Sequence, residues 1–137
     1  MVSITTRPTT VSAFLDQQGK GSVKAHSGAN LALAALVRDE GMTPLELMDA
    51  ALAGCLVLSL RIGTRKLGWQ ERLKDVSVDV THIKGEGEPS RVAQFSCDFR
   101  IDGDFSDEER SRLIAEAHAL CTVGNTLERG AKITNVE

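Results

Sequence analysis

Three side chains in this sequence can act as nucleophile, redox centre or soft-metal ligand: Cys55, Cys97 and Cys121. All three kinds of chemistry need the thiolate, so the question at each site is what would hold the charge. An odd number of cysteines at wide spacing does not make a disulfide framework. The opening stretch MVSITTRPTTVSAF lacks the apolar core of a secretory signal. A cytoplasmic, reducing setting is therefore expected, in which a functional cysteine is catalytic or redox-active rather than a structural bridge.

Cys55 ends the run TPLELMDAALAGC. At about 100° per residue, Met48, Ala51, Leu52, Leu58, Ser59 and Ile62 fall within roughly 60° of it on a helix. Its own face is apolar apart from Ser59, and Ala50, Ala53, Gly54, Leu56 and Val57 make the other faces apolar too. A helix hydrophobic nearly all round belongs in a core or an oligomer interface. Buried filler is accordingly one reading of Cys55, since free cysteine is among the most buried residue types. The other reading is a nucleophile, and it needs help from elsewhere. Cys55 lies about three turns inside its helix, beyond reach of that helix's N-terminal dipole, and burial alone would raise its pKa. Arg61 and Arg65 do not share its face, which leaves Lys20, Lys24 and Arg38 as candidate cations.

The elements that must position these residues are legible from punctuation and period. Residues 7–40 predict strands and turns, with Gly19, Gly21 and Gly28 as breaks and Gly41 closing the segment. Thr43, Pro44 and Glu46 predict a capped helix start, and Lys66 and Gly68 its end near Leu67. KDVSVDVTHIKG predicts a strand with Val76, Val78, Val80 and His82 on one face. SRVAQFSCDFRIDG predicts its partner, with Phe95, Cys97, Phe99 and Ile101 inward; EGEP is the turn between them. Ser106 and Glu109 predict a second capping box, opening a helix through DEERSRLIAEAHAL. CTVGNTLERG reads as a helix end or short second turn, and AKITNVE as a closing strand. The order predicts a single α+β domain over residues 1–137.

Other function classes find little support. The chain has 137 residues, 42% hydrophobic and 26% charged, which fits an ordinary globular domain. A net charge of −3 excludes the basic footprint of a nucleic-acid binder, and no apolar run reaches membrane-spanning length. His118 and Cys121 have a metal-compatible helical spacing but lack the two further ligands of a closed zinc site. His26 and His82 read as surface residues. The glycines at 19 and 21 lack the strand–loop–helix context of a phosphate loop.

Taken together, TPLELMDAALAGCLV, the following strand pair, AHALCTVGNTL and the glycine-punctuated GKGSVKAHSG resemble the family of osmotically inducible protein C and organic hydroperoxide resistance proteins (OsmC/Ohr). The resemblance implies an OsmC-like fold, with antiparallel sheets around a long central helix in an intertwined homodimer. It also implies a cofactor-free, metal-free peroxidase that defends against oxidative or osmotic stress. Cys55 would attack an organic hydroperoxide, Cys121 would resolve the sulfenic acid to a disulfide, and an external dithiol would restore both thiols. Neither a nucleic-acid nor a membrane partner is implied, and Cys97 matches no family thiol.

Three positions depart from the family pattern. The N-terminal arginine that holds the thiolate falls near Gly19, where the nearest cation is Lys20. Leu45 stands ten positions before Cys55, where relatives place glutamate. Glu46 lies about 180° away from the thiol on a helix and has a capping role of its own. Thr122 follows the second cysteine where many relatives have proline. These departures leave open a second reading, a dimer of the same fold that lost the peroxidase and binds a small hydrophobic ligand.

Overall fold

A computed structural model describes residues 6–136 of the chain. They form two compact units that divide between Leu47 and Met48. In the first, β1 (Val11–Leu15), β2 (Gly21–Ala25) and β3 (Asn30–Leu33) make an antiparallel sheet in sequential order. The turn between β1 and β2 is tied by the Asp16 carboxylate, which accepts from the N–H groups of Gln18 and Lys20 at 2.9 Å each. Gly41 closes the segment for a steric reason: its φ is 100°, and a Cβ there would stand 2.0 Å from the Ala32 carbonyl oxygen. This close approach lets Met42 hydrogen-bond the backbone of Ala32 and Ala34.

The long helix α1 (Pro44–Lys66) starts on the expected capping box. Glu46 N–H donates to Thr43 Oγ1 at 3.1 Å, and Thr43 N–H donates to Glu46 Oε1 at 3.0 Å. It ends in a Schellman motif. Gly68 N–H reaches the Arg65 carbonyl at 3.1 Å and Trp69 N–H reaches that of Thr64 at 2.7 Å. Between these ends the helix is not uniformly buried. Leu52, Leu56, Ser59, Leu60, Gly63 and Thr64 form the buried stripe, whereas Leu58 and Ile62 are 63% and 54% exposed. The helix is long and apolar in places, but no helix of the described residues is long and apolar enough to cross a membrane.

In the second unit, β4 (Leu73–Lys84) and β5 (Val92–Gly103) form the expected strand pair as an antiparallel hairpin. Val76 pairs with Ile101, Val78 with Phe99, Val80 with Cys97 and His82 with Phe95, all on the half-buried or buried face. Helix α2 (Asp107–Leu120) opens on the Ser106–Glu109 capping box. The core joins Leu52, Leu56 and Leu60 of α1 to Ile101, Phe105, Leu113, Ala117 and Cys121. Below this core Arg72 lies over the rings of Trp69 and Phe105, 5.0 and 4.8 Å from their centroids, and pairs with Glu109 at 2.7 Å.

Two segments differ from the sequence reading. CTVGNTLERG is neither a helix end nor a turn but a separate helix, α3 (Thr122–Arg129), with Cys121 as its N-cap. Residues 131–136 form no strand, with Ile133 and Val136 93% and 100% exposed. Alternation of apolar residues gives a strand only where a sheet edge offers hydrogen bonds, and these residues meet none among the described ones.

Candidate active site

Two of the three thiols come together. Cys55 is half-buried on the face of α1 that meets the α2–α3 junction, and Cys121 is fully buried at that junction. Cys55 packs against the core cluster that contains Cys121, and its titration responds to Cys121, to Ser59 one turn along α1 and to the backbone of Val123 and Thr122. Gly124 N–H donates to Cys121 Sγ at 3.2 Å. The Cys121 sulfur therefore sits at the start of α3, where a helix leaves its first N–H groups without internal partners.

The two thiols titrate in opposite directions. Burial pushes Cys55 up, but the Val123 N–H, Cys121, Ser59 and the Thr122 N–H outweigh it and bring Cys55 below the ordinary cysteine value. Burial pushes Cys121 up, and Cys55 pushes the same way. Cys55 is thus the more acidic thiol of the two and Cys121 the less. Two thiols on one core, one more acidic than the other, are a pair that an oxidant can take from dithiol to disulfide.

A cavity of about 360 Å³ opens between α1, β5, α2 and α3. Leu52, Phe95, Cys97, His118, Gly124 and Leu127 are among its walls. Gly124 keeps it adjacent to sulfur: a Cβ there would stand 3.3 Å from Cys121 Sγ and 3.4 Å from Leu52 Cδ1. Cys97 faces the cavity from β5 and packs on the core, as its strand position predicts, and burial raises its pKa.

Glu46 is exposed with its carboxylate in the cap of α1. Lys20, Lys24 and Arg38 are exposed residues of the first unit. His118 is exposed, edge-on to Phe99 at 5.5 Å, while Cys121 turns into the core. No group of three or more His, Cys, Asp or Glu among the described residues could hold a metal. His82 is not the surface residue expected: it is half-buried, with Nδ1 2.5 Å from Asp49 Oδ2. Its place in the Val76–Val78–Val80 alternation was the signal for that. The start of α3 was missed altogether, although Val123 and Leu127 one turn apart, Arg129 and the stop at Gly130 outline a short helix.

A family model described as OsmC-like protein matches residues 37–135. The chain belongs to the OsmC-like family. Solved structures agree on its fold. An OsmC-like protein from Mycoplasma pneumoniae superposes with a TM-score of 0.77 at 16% identity, covering 87% of this chain and 86% of that one. An organic hydroperoxide resistance protein from Elizabethkingia anophelis gives 0.71 at 20% identity, covering 87% and 88%. The organic hydroperoxide resistance protein OhrB of Bacillus subtilis gives 0.66 at 16% identity, covering 85% and 87%. A comparison with curated protein sequences found no match. The OsmC-like fold of this chain is thus shared with proteins from which its sequence has diverged widely.

Proposed function

We propose that this OsmC-like protein is a cofactor-free thiol peroxidase of the cytoplasm that reduces organic hydroperoxides through Cys55 and Cys121. The observation that carries the reading is that Cys55 packs on the core cluster of Cys121, with the first thiol's pKa lowered and the second's raised. The names of relatives such as the Elizabethkingia and Bacillus hydroperoxide resistance proteins support the substrate class. In the first step the Cys55 thiolate attacks the distal peroxide oxygen. An S–O bond forms, the O–O bond breaks, and the alkoxide leaves as the alcohol after taking a proton. In the second, the sulfur of Cys121 attacks the Cys55 sulfenic acid, forming the S–S bond and releasing water. An external dithiol then restores both thiols by exchange.

The test is free-thiol count and intact mass before and after one equivalent of cumene hydroperoxide. The expected result is loss of two thiols and about 2 Da, the two hydrogens of a disulfide, mapped to Cys55 and Cys121. Cys55→Ser abolishes turnover, whereas Cys121→Ser lets sulfinic and sulfonic acid accumulate at Cys55. Parent-rate peroxide consumption by Cys55→Ser would sink the reading.

A second reading draws on the cavity beside the thiols: the same fold as a binding protein for a small hydrophobic ligand. It predicts three thiols untouched by hydroperoxide, and saturable binding of an apolar ligand such as an alkyl alcohol.

A further inference from the structure

We propose that the far corner of the β1–β2 hairpin binds a single phosphate group carried on a small molecule, through Lys24, Ser12 and His26. The site lies wholly within the first unit and uses none of the thiols.

Charge is unevenly spread along the chain. Residues 1–38 hold four cations, Arg7, Lys20, Lys24 and Arg38, against one acid, Asp16, a net +3 in a chain of net −3. The Asp16 carboxylate is already engaged in the turn between β1 and β2, where it accepts from the N–H groups of Gln18 and Lys20. At the opposite end of the hairpin the cations meet no carboxylate. Among the described residues neither Arg7 nor Lys24 has an ion-pair partner.

Strand register brings the donors together there. Ser12 stands directly opposite Lys24 across the ladder, a pairing that sets the two Cβ atoms about 5 Å apart. His26 follows Lys24 by two residues and continues the ladder, its N–H donating to the Thr10 carbonyl at 3.0 Å. Its ring lies on the face of Ser12, with Nε2 3.1 Å from Ser12 Oγ. At the next residue Arg7 Nη2 donates to Ser27 Oγ at 2.9 Å, which brings a guanidinium to the edge of the group. Ser12, Lys24, Ala25 and His26 line an open hollow of about 330 Å³, ample for a phosphate group.

The chemistry of the hollow selects its ligand. Lys24 supplies a compact positive charge, the form in which lysine binds phosphate. An imidazole protonated at Nε2 donates to Ser12 Oγ, which leaves the hydroxyl proton free to donate to a ligand oxygen. Ammonium and hydroxyl thus gather where no carboxylate repels an anion or attracts a cation. A nucleic-acid backbone would need a continuous basic track. The next cation along β2, Lys20, is four residues away, about 13 Å of strand, with its N–H on the Asp16 carboxylate. One phosphate is what the corner can hold.

The test is amide-resolved NMR of the full chain titrated with phenyl phosphate at about pH 7.5, where the group is mostly dianionic, at constant ionic strength. The Ser12, Lys24 and His26 signals are expected to shift to saturation, and added sodium chloride to weaken binding. Lys24→Gln should weaken it about tenfold, the loss of one charge-assisted hydrogen bond. Ser12→Ala leaves every charge in place and should weaken it about threefold, so the site remains testable if the lysine variant does not fold. Lys20→Gln, at the other end of the hairpin, should follow the parent. Shifts that never saturate, or an equal loss in Lys20→Gln and Lys24→Gln, would reduce the effect to the diffuse charge of the segment and overturn the site. Binding that survives both Lys24→Gln and Ser12→Ala overturns it too, and benzoate binding as tightly as phenyl phosphate would overturn the phosphate assignment.

Discussion

Cys55 and Cys97 are both half-buried thiols on the same core, yet their surroundings drive them in opposite directions. Cys97 has burial alone and is raised; at Cys55 burial is outweighed by Val123, Cys121, Ser59 and Thr122, and the thiol is lowered. Competitive alkylation at pH 7 should therefore label Cys55 faster than Cys97, since the thiol with the lower pKa has more thiolate near neutrality. Equal rates would remove the basis for treating Cys55 as the nucleophile. The sequence made both thiols visible and placed each on its element correctly. It could not rank them, because the groups that separate them come from α3, distant along the chain.

At the scale of elements, helix starts are set by local chemistry and were readable in advance. Thr43–Glu46 and Ser106–Glu109 satisfy donors within three residues of themselves, so tertiary context has little say. Ser106→Ala should cost about 1 kcal/mol, measured by urea unfolding, as loss of an N-cap does. The second box also carries a pH dependence. The Arg72 guanidinium holds the Glu109 carboxyl down at about 2. A depressed carboxylate stabilises the fold above its unfolded value, about 4.5, and loses that contribution as pH falls towards about 2. The difference in urea midpoint between parent and Arg72→Gln should accordingly shrink across that window. Packing is less local. Leu56 is fully buried beneath β4–β5, and Leu56→Ala should cost about 2–5 kcal/mol, the range for an unfilled cavity.

For the whole molecule, the exposed apolar residues of α1 bear on assembly. Leu58 and Ile62 share the helix with Cys55 but lie outside the buried stripe. We expect the homodimer implied by the family likeness to cover them. Light scattering should give twice the 14.7 kDa chain mass, and Ile62→Glu should shift the population to monomer. A parent protein that stays monomeric at micromolar concentration would refute this. What the sequence determined by itself is what near neighbours enforce: the caps of α1 and α2, the stop at Gly68, the alternation of β4 and β5, and the inward face of Cys97. AKITNVE shows the limit, because strand character becomes a strand only when another chain segment supplies the ladder. Tertiary structure alone decided that Cys121 joins Cys55 on one core and that His82 pairs with Asp49. Neither contact leaves a trace in local spacing, since a long-range contact depends on how the elements pack rather than on the residues that flank each partner.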